Sequence, residues 1–204
     1  DLRGSELRGA VLRALGEAEA DAAVPLLTQI ATDPFETSSL RHYAAASLGQ
    51  IGARESLETL TGLLEEEDSL LRAYATGALG YFQEAEATDA LVEGLRDSFW
   101  RVRVAALQGL ENQKAEVALD AVAYKARRDP ESPVRQAALN TLAAMESASA
   151  YDVLRDLAVD KRRPLADRMT AVHLLVEGDL VNSLSTVEQI IDEEWAVENS
   201  RLLD

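Results

Sequence analysis

The sequence predicts an all-α fold of stacked helical hairpins, about six of them, and three observations predict it. An Arg followed three residues later by a small apolar residue and seven residues later by Leu recurs at Arg8, Arg41, Arg72, Arg103, Arg135 and Arg168, at intervals of 33, 31, 31, 32 and 33 residues. Self-similarity on a period of roughly 20–50 residues is what stacked supersecondary units leave in a sequence. Between the copies, apolar residues stand sixteen and nineteen places after most of these Args, which marks a second helix in each unit: Val24 and Leu27, Leu57 and Leu60, Leu91, Leu119 and Val122, Tyr151 and Leu154, Leu184 and Val187. Apolar residues make up 47% of the 204-residue chain but aromatics only 5%, so the core is built from Ala, Leu, Val and Ile, which suits close helix packing.

In chain order, Ser5 to Leu15 reads as the first helix, with Leu7, Val11, Leu12 and Leu15 on one face and Ser5 as its N-cap. Glu17 to Asp21 connects it to a second helix, whose Pro25 fits a first turn because that position needs no N–H. Thr32, Asp33 and Pro34 break that helix, and the pair then repeats with connections of about 3 to 8 residues. Gly16, Gly49 and Gly80 follow the repeated Leu by one place, where they either let the next helix approach or end the helix. Asp192 to Glu198 aligns with Asp97 to Arg103, with Glu198 replacing the Arg, and reads as a seventh, decayed copy limited to one turn of helix. Both ends fall inside a repeat, so residues 1–204 are read as a single repeat domain from a longer chain, specialised caps being the alternative.

The run from Asp97 to Leu110, and again from Asp129 to Leu142, carries Asp, five variable positions ending in Val, then Arg, a small residue and Leu. This motif resembles the HEAT repeats, particularly the short bacterial type associated with phycobilin lyases. The resemblance implies a right-handed α-α superhelix, a HEAT-like solenoid, with the Arg-started helix on the inner, concave face and the other helix outside. It also implies a structural ladder pairing each Arg with an Asp of its own or a neighbouring turn. The sequence assigns that ladder to Arg41, Arg72, Asp97, Arg103, Asp129 and Arg135, chiefly as Asp97 with Arg103 and Asp129 with Arg135. Some carboxylates depart from the pattern. Asp68 is four residues before Arg72, Asp33 and Asp160 are eight before Arg41 and Arg168, and Asp167 immediately precedes Arg168, so the turns should differ there.

Positions one, five and nine after each Arg lie opposite the core at 100° per residue and form the predicted inner surface. On the central four helices they are His42, Ala46 and Gln50; Ala73, Gly77 and Tyr81; Val104, Gln108 and Asn112; Gln136, Asn140 and Ala144. None of the twelve carries a formal charge, whereas a chain with 27% charged residues would place about three there. Such a surface either hydrogen-bonds the backbone of an extended peptide or fills a tightly curved face without a ligand. Tyr43 and Tyr74, two places after successive Args, should stack near the rim, as partner anchors or as packing between repeats; His173 occupies the inner row of the last helix. The candidate partner-binding set is His42, Tyr43, Gln50, Tyr74, Tyr81, Gln108, Asn112, Gln136, Asn140 and His173.

Catalytic chemistry is not written in this sequence. His42 and His173 stand too far apart in the array to share a metal, and no HExxH, GxSxG, phosphate loop or His-Glu pair of the HEAT-type iron hydroxylases occurs. The absence of Cys excludes disulfides and thiolate sites and fits either redox compartment; localisation is left open, the cytoplasm ranking ahead of the periplasm. The formal charge of −16 argues against nucleic acid, which needs a basic footprint. No apolar run is long enough for membrane insertion. The reading is a monomeric, non-catalytic scaffold without cofactor or metal, taking a protein or peptide on its concave face. The alternative, raised by the repeat subtype, is a bilin-lyase-like or chaperone-like subunit of an enzyme.

Overall fold

A computed structural model describes residues 2–202, with side chains from residue 6 to residue 193. The helices are α1 (Leu2–Glu17), α2 (Val24–Thr32), α3 (Ser38–Ile51), α4 (Ser56–Gly62), α5 (Ser69–Leu79), α6 (Ala85–Gly94), α7 (Trp100–Asn112), α8 (Leu119–Arg128), α9 (Ser132–Ala144), α10 (Ala148–Val159), α11 (Leu165–Gly178) and α12 (Leu180–Leu202). Short 3-10 turns, Asp21–Ala23, Leu63–Glu65 and Glu116–Ala118, sit at the connections, and no strand occurs among the described residues. The Arg-started helices α1, α3, α5, α7, α9 and α11 alternate with the second type. The contacts divide the chain into two compact units, Asp1–Ala121 and Val122–Asp204, with the boundary inside α8.

In the first unit α1, α3, α5 and α7 pack each on the next as an inner layer, while α2, α4 and α6 lie against them as an outer layer. The repeated letters explain this. Leu40, Leu71 and Val102 before the Args, Ala44, Ala75 and Ala106 three places after, and Leu48, Leu79 and Leu110 seven places after are all buried and share one face. Leu27, Leu60 and Leu91 meet them from the outer helices. Burying one such Leu contributes about 1.5–3 kcal/mol, while the Ala positions let the helices approach. In the second unit α9, α10 and α11 pack together over Val134, Ala138, Leu142, Leu154, Ala171 and Leu175, and α12 lies on α10 and α11.

The glycines one place after the repeated Leu serve the close approach. A Cβ at Gly49 would stand 2.5 Å from the Ala78 Cα, and one at Gly80 would stand 2.6 Å from the Gly109 Cα. Eleven places after the Arg, four of the inner helices are followed by a residue in the left-handed region: Glu19, Gly52, Lys114 and Glu146, with φ of 48°, 68°, 48° and 51°. That residue reverses the chain toward the next outer helix.

Three expectations are corrected. Helix α1 begins at Leu2, so Ser5 lies within it rather than capping it. The segment from Asp192 to Glu198 contains no repeat turn, because α12 runs unbroken from Leu180 to Leu202; the side chains of Trp195, Val197 and Glu198 lie outside the described residues. The reason is local: Glu193 and Glu194 replace Ser98 and Phe99, and Gln189 Nε2 donates to Glu193 Oε1 at 2.8 Å across one helical turn. Accordingly Leu184, an anchor position, is 49% exposed where its counterparts Leu57 and Tyr151 are buried.

Candidate partner-binding groove

The site stands on the arginine framework, whose pairing is shifted by one repeat from the sequence expectation. The Asp97 carboxylate takes both arms of Arg72, Nε at 2.8 Å and Nη2 at 3.1 Å, from the preceding inner helix. Arg103 instead donates Nη1 to the main-chain carbonyls of Asp97 and Ser98, at 2.9 and 3.1 Å. Likewise Arg135 donates Nε to Asp167 Oδ2 at 2.6 Å and Nη1 to the carbonyls of Asp129 and Pro130, while Asp129 Oδ2 is 3.4 Å from Lys125 Nζ. Arg41 Nη2 reaches Glu66 at 2.6 Å. The geometry makes this shift necessary. The Asp97 carboxylate is folded over its own turn by accepting from the Phe99 N–H at 2.7 Å, which leaves its remaining lone pairs for the arginine of the preceding helix.

Arg72, Arg103 and Arg135 thus compensate for their unfavourable place in a helical first turn by donating to the carbonyls before it. Where the Asp stands eight places before the Arg the turn is longer, and Arg41 and Arg168 donate Nε to Ala31 O and Ala158 O, at 2.9 and 3.0 Å. Burial pushes the Asp97 carboxyl up, but the Arg72 fork and the Phe99 N–H outweigh it and hold the group below the ordinary carboxylate range. The same Asp97 bond, opposed by burial, raises Arg72.

On this framework α3, α5 and α7 line a groove of about 310 Å³ in the first unit. Its floor is Ala46, Ala73, Gly77, Ala78, Ala105 and Gly109, and its walls carry Gln50, Tyr74, Tyr81, Gln108 and Asn112. No lining residue is charged. Tyr74 and Tyr81 are 40% and 56% exposed, and Gln50, Gln108 and Asn112 are exposed. Tyr74 is held in place from below. Asp68 Oδ1 caps α5 by accepting from the N–H groups of Leu70 and Leu71, at 2.9 and 3.1 Å, and its Oδ2 is 2.9 Å from His42 Nε2. The His42 ring stacks on Tyr74 with centroids 5.1 Å apart and planes 14° from parallel. Burial raises the Asp68 carboxyl, yet the His42 and backbone bonds prevail and lower it.

Gly77 differs from the other inner-helix glycines. A Cβ there would meet nothing nearer than the Ala105 Cβ at 4.0 Å, so packing does not demand glycine. A helix-interior Gly costs about 1 kcal/mol relative to Ala. Its effect is to keep the groove open between the two tyrosines.

The remaining candidates divide differently. His42 is 8% exposed and serves as the support for Tyr74. Tyr43 does not stack on Tyr74; it packs against Gly9 and lies under the Arg13 guanidinium, 4.6 Å from its ring centre. In the second unit, Gln136 uses its amide inside the fold, Nε2 donating to Asp167 Oδ1 and Oε1 accepting from Thr170 Oγ1, each at 2.7 Å. Asn140 is exposed, and His173 Nε2 lies 3.3 Å from Glu177 on the surface of α11. Sequence reasoning missed Asp68 as a support for the groove and Asp167 as a joint partner of Arg135 and Gln136; their displaced spacing from the next Arg was the available signal. Among the described residues no group of three or more His, Asp or Glu side chains could hold a metal, and no helix is long and apolar enough to cross a membrane.

Stacked helix pairs with an arginine recurring at each inner turn define a HEAT-repeat protein. The chain belongs to the family described as spirochaete HEAT repeat protein, whose model matches residues 1–204. No curated protein matches it. Among solved structures it is similar to the complex of CpcE and CpcF of phycocyanin lyase from Nostoc sp. PCC7120, with a TM-score of 0.60 and 22% identity over 89% of this chain and 75% of that one. It is similar also to human deoxyhypusine hydroxylase in complex with glycerol, with a TM-score of 0.50 and 21% identity over 83% of this chain and 78% of that one. A designed armadillo repeat protein gives a TM-score of 0.52 at 16% identity, over 82% and 91% of the two chains. At these identities the likeness concerns the fold.

Proposed function

We propose that this chain is a non-catalytic interaction scaffold that binds a peptide or protein partner along the inner-helix groove. One observation carries the reading. The side chains of Gln50, Tyr74, Tyr81, Gln108 and Asn112 converge on one groove, and no hydrogen bond joins their amide or hydroxyl groups to another described residue. Amides and phenols so placed satisfy a peptide backbone, whose carbonyls and N–H groups need partners when water is displaced. The bilin-handling alternative expects arginine and carboxylate converging beside aromatic rings, and the uncharged lining favours the scaffold over it. Selection of displayed random peptides against the full chain tests the reading, with counter-selection on Gln108→Glu, which puts a charge in the groove. Binders of micromolar affinity that lose at least tenfold on Gln108→Glu are expected; binders indifferent to it, or none, would contradict the proposal.

A further inference from the structure

We infer that the groove is shaped for a proline-rich segment in the polyproline II conformation, a deepening that rests on the peptide-binding reading above. The two tyrosines set the geometry. Tyr74 and Tyr81 are seven residues apart on α5 and the tight turn that ends it, where Gly80 N–H and Tyr81 N–H donate to the carbonyls three residues back. At the rise of such a segment the two residues stand about 11 Å apart along the axis, on the same face. A polyproline II helix repeats every three residues, about 9 Å, so prolines at i and i+3 present the same face at nearly that spacing. Between the rings lies the notch at Gly77, where an added Cβ would meet nothing closer than 4.0 Å. Prolines pack on the two rings, and the residues between them lie over the notch.

The hydrogen-bonding chemistry agrees. A polyproline II segment has no internal hydrogen bonds, and its prolines contribute carbonyl acceptors without N–H donors. Its demand is therefore for donors, and the groove supplies the amides of Gln50, Gln108 and Asn112 and the hydroxyls of Tyr74 and Tyr81. An extended β-strand ligand would instead need alternating donors and acceptors from a sheet edge, and the described residues contain no strand. The stack of Tyr74 on His42, itself tied to Asp68, fixes one ring before the ligand arrives, which lowers the ordering cost of binding. A segment rich in Pro brings little charge to an uncharged groove, so no charge has to be desolvated there.

Fluorescence anisotropy of labelled decaproline against the full chain is the test, with a (Gly-Ser)5 peptide as the flexible control. Decaproline should saturate, (Gly-Ser)5 should bind at least tenfold more weakly, and Tyr81→Ala and Gly77→Leu should each lower decaproline affinity at least tenfold without lowering the melting temperature. Equal affinity for the two peptides, decaproline binding indifferent to both variants, or no decaproline binding would each overturn the inference. Should decaproline fail while selected proline-free peptides bind and lose on Gln108→Glu, only the ligand class falls. Failure of both falls on the scaffold reading itself.

Discussion

The inner helices of the two units both carry neutral amides among their inner positions, Gln108 five places after its Arg and Gln136 one place after its own, yet the amides do different work. On α7, Gln108 stands free over the groove floor; on α9, Gln136 is held at both ends by Asp167 and Thr170. What separates them is the neighbouring helix. The next inner helix, α11, brings a carboxylate and a hydroxyl to the amide, whereas α3, α5 and α7 bring Ala, Gly and Tyr to the groove. A polar side chain at an inner position is therefore part of the fold or part of a binding surface according to whether the adjacent repeat supplies its partner.

The framework common to both units should give the largest effects. Removing Arg72 leaves the Asp97 carboxylate, 15% exposed, without its paired guanidinium, and removing Arg135 leaves Asp167, 5% exposed, without its own. Each Arg→Ala change should cost about 3 kcal/mol in urea denaturation. A loss below about 0.5 kcal/mol in either would show that the two regions do not share a framework. Gly49→Ala follows, because the new Cβ meets the Ala78 backbone and the inner helices must separate; about 1–3 kcal/mol is expected from the same measurement.

The comparison itself is sharpened by two amide deletions. Gln136→Ala removes one hydrogen bond to a carboxylate and one from a hydroxyl and should cost about 1–2 kcal/mol, while Gln108→Ala should stay within about 0.5 kcal/mol. Equal losses would erase the distinction. The smallest effect concerns pH. With its folded pKa depressed, Asp97 contributes stability that is fully present above the unfolded value near 4 and is lost as pH falls through the folded value. Denaturation midpoints between pH 5 and pH 2 should thus fall more steeply for the wild-type chain than for Asp97→Asn.

The helix pairs were legible because the Arg, small and Leu positions recur on a period and fill one face. The partners of Arg41 and Arg72 were not, since Glu66 and Asp97 each stand six residues before one Arg but point to the Arg of the previous repeat. The departures in spacing held that information. Glu66, six before Arg72, takes Arg41, which frees Asp68 at four before to cap α5 and hold His42. The groove residues Gln50, Tyr81, Gln108 and Asn112 were visible as an uncharged row, because helical phase alone sets which side chains leave the core. Burial of His42 and engagement of Gln136 were not visible, as both depend on a carboxylate supplied by another repeat. The continuous α12 was missed for a related reason: matching Asp, Trp and Val were read as a turn, although the residues between them favour helix.

The measurement that bears most directly on the division between fold and groove is made on Gly77→Leu, with its unfolding curve and its affinity for peptides selected on the wild-type chain recorded together. Packing leaves room for a Cβ at this position, which lines the groove, and glycine is unfavourable in a helix, so stability should be retained or increased while affinity falls at least tenfold. Unchanged affinity in a stably folded variant would contradict the account.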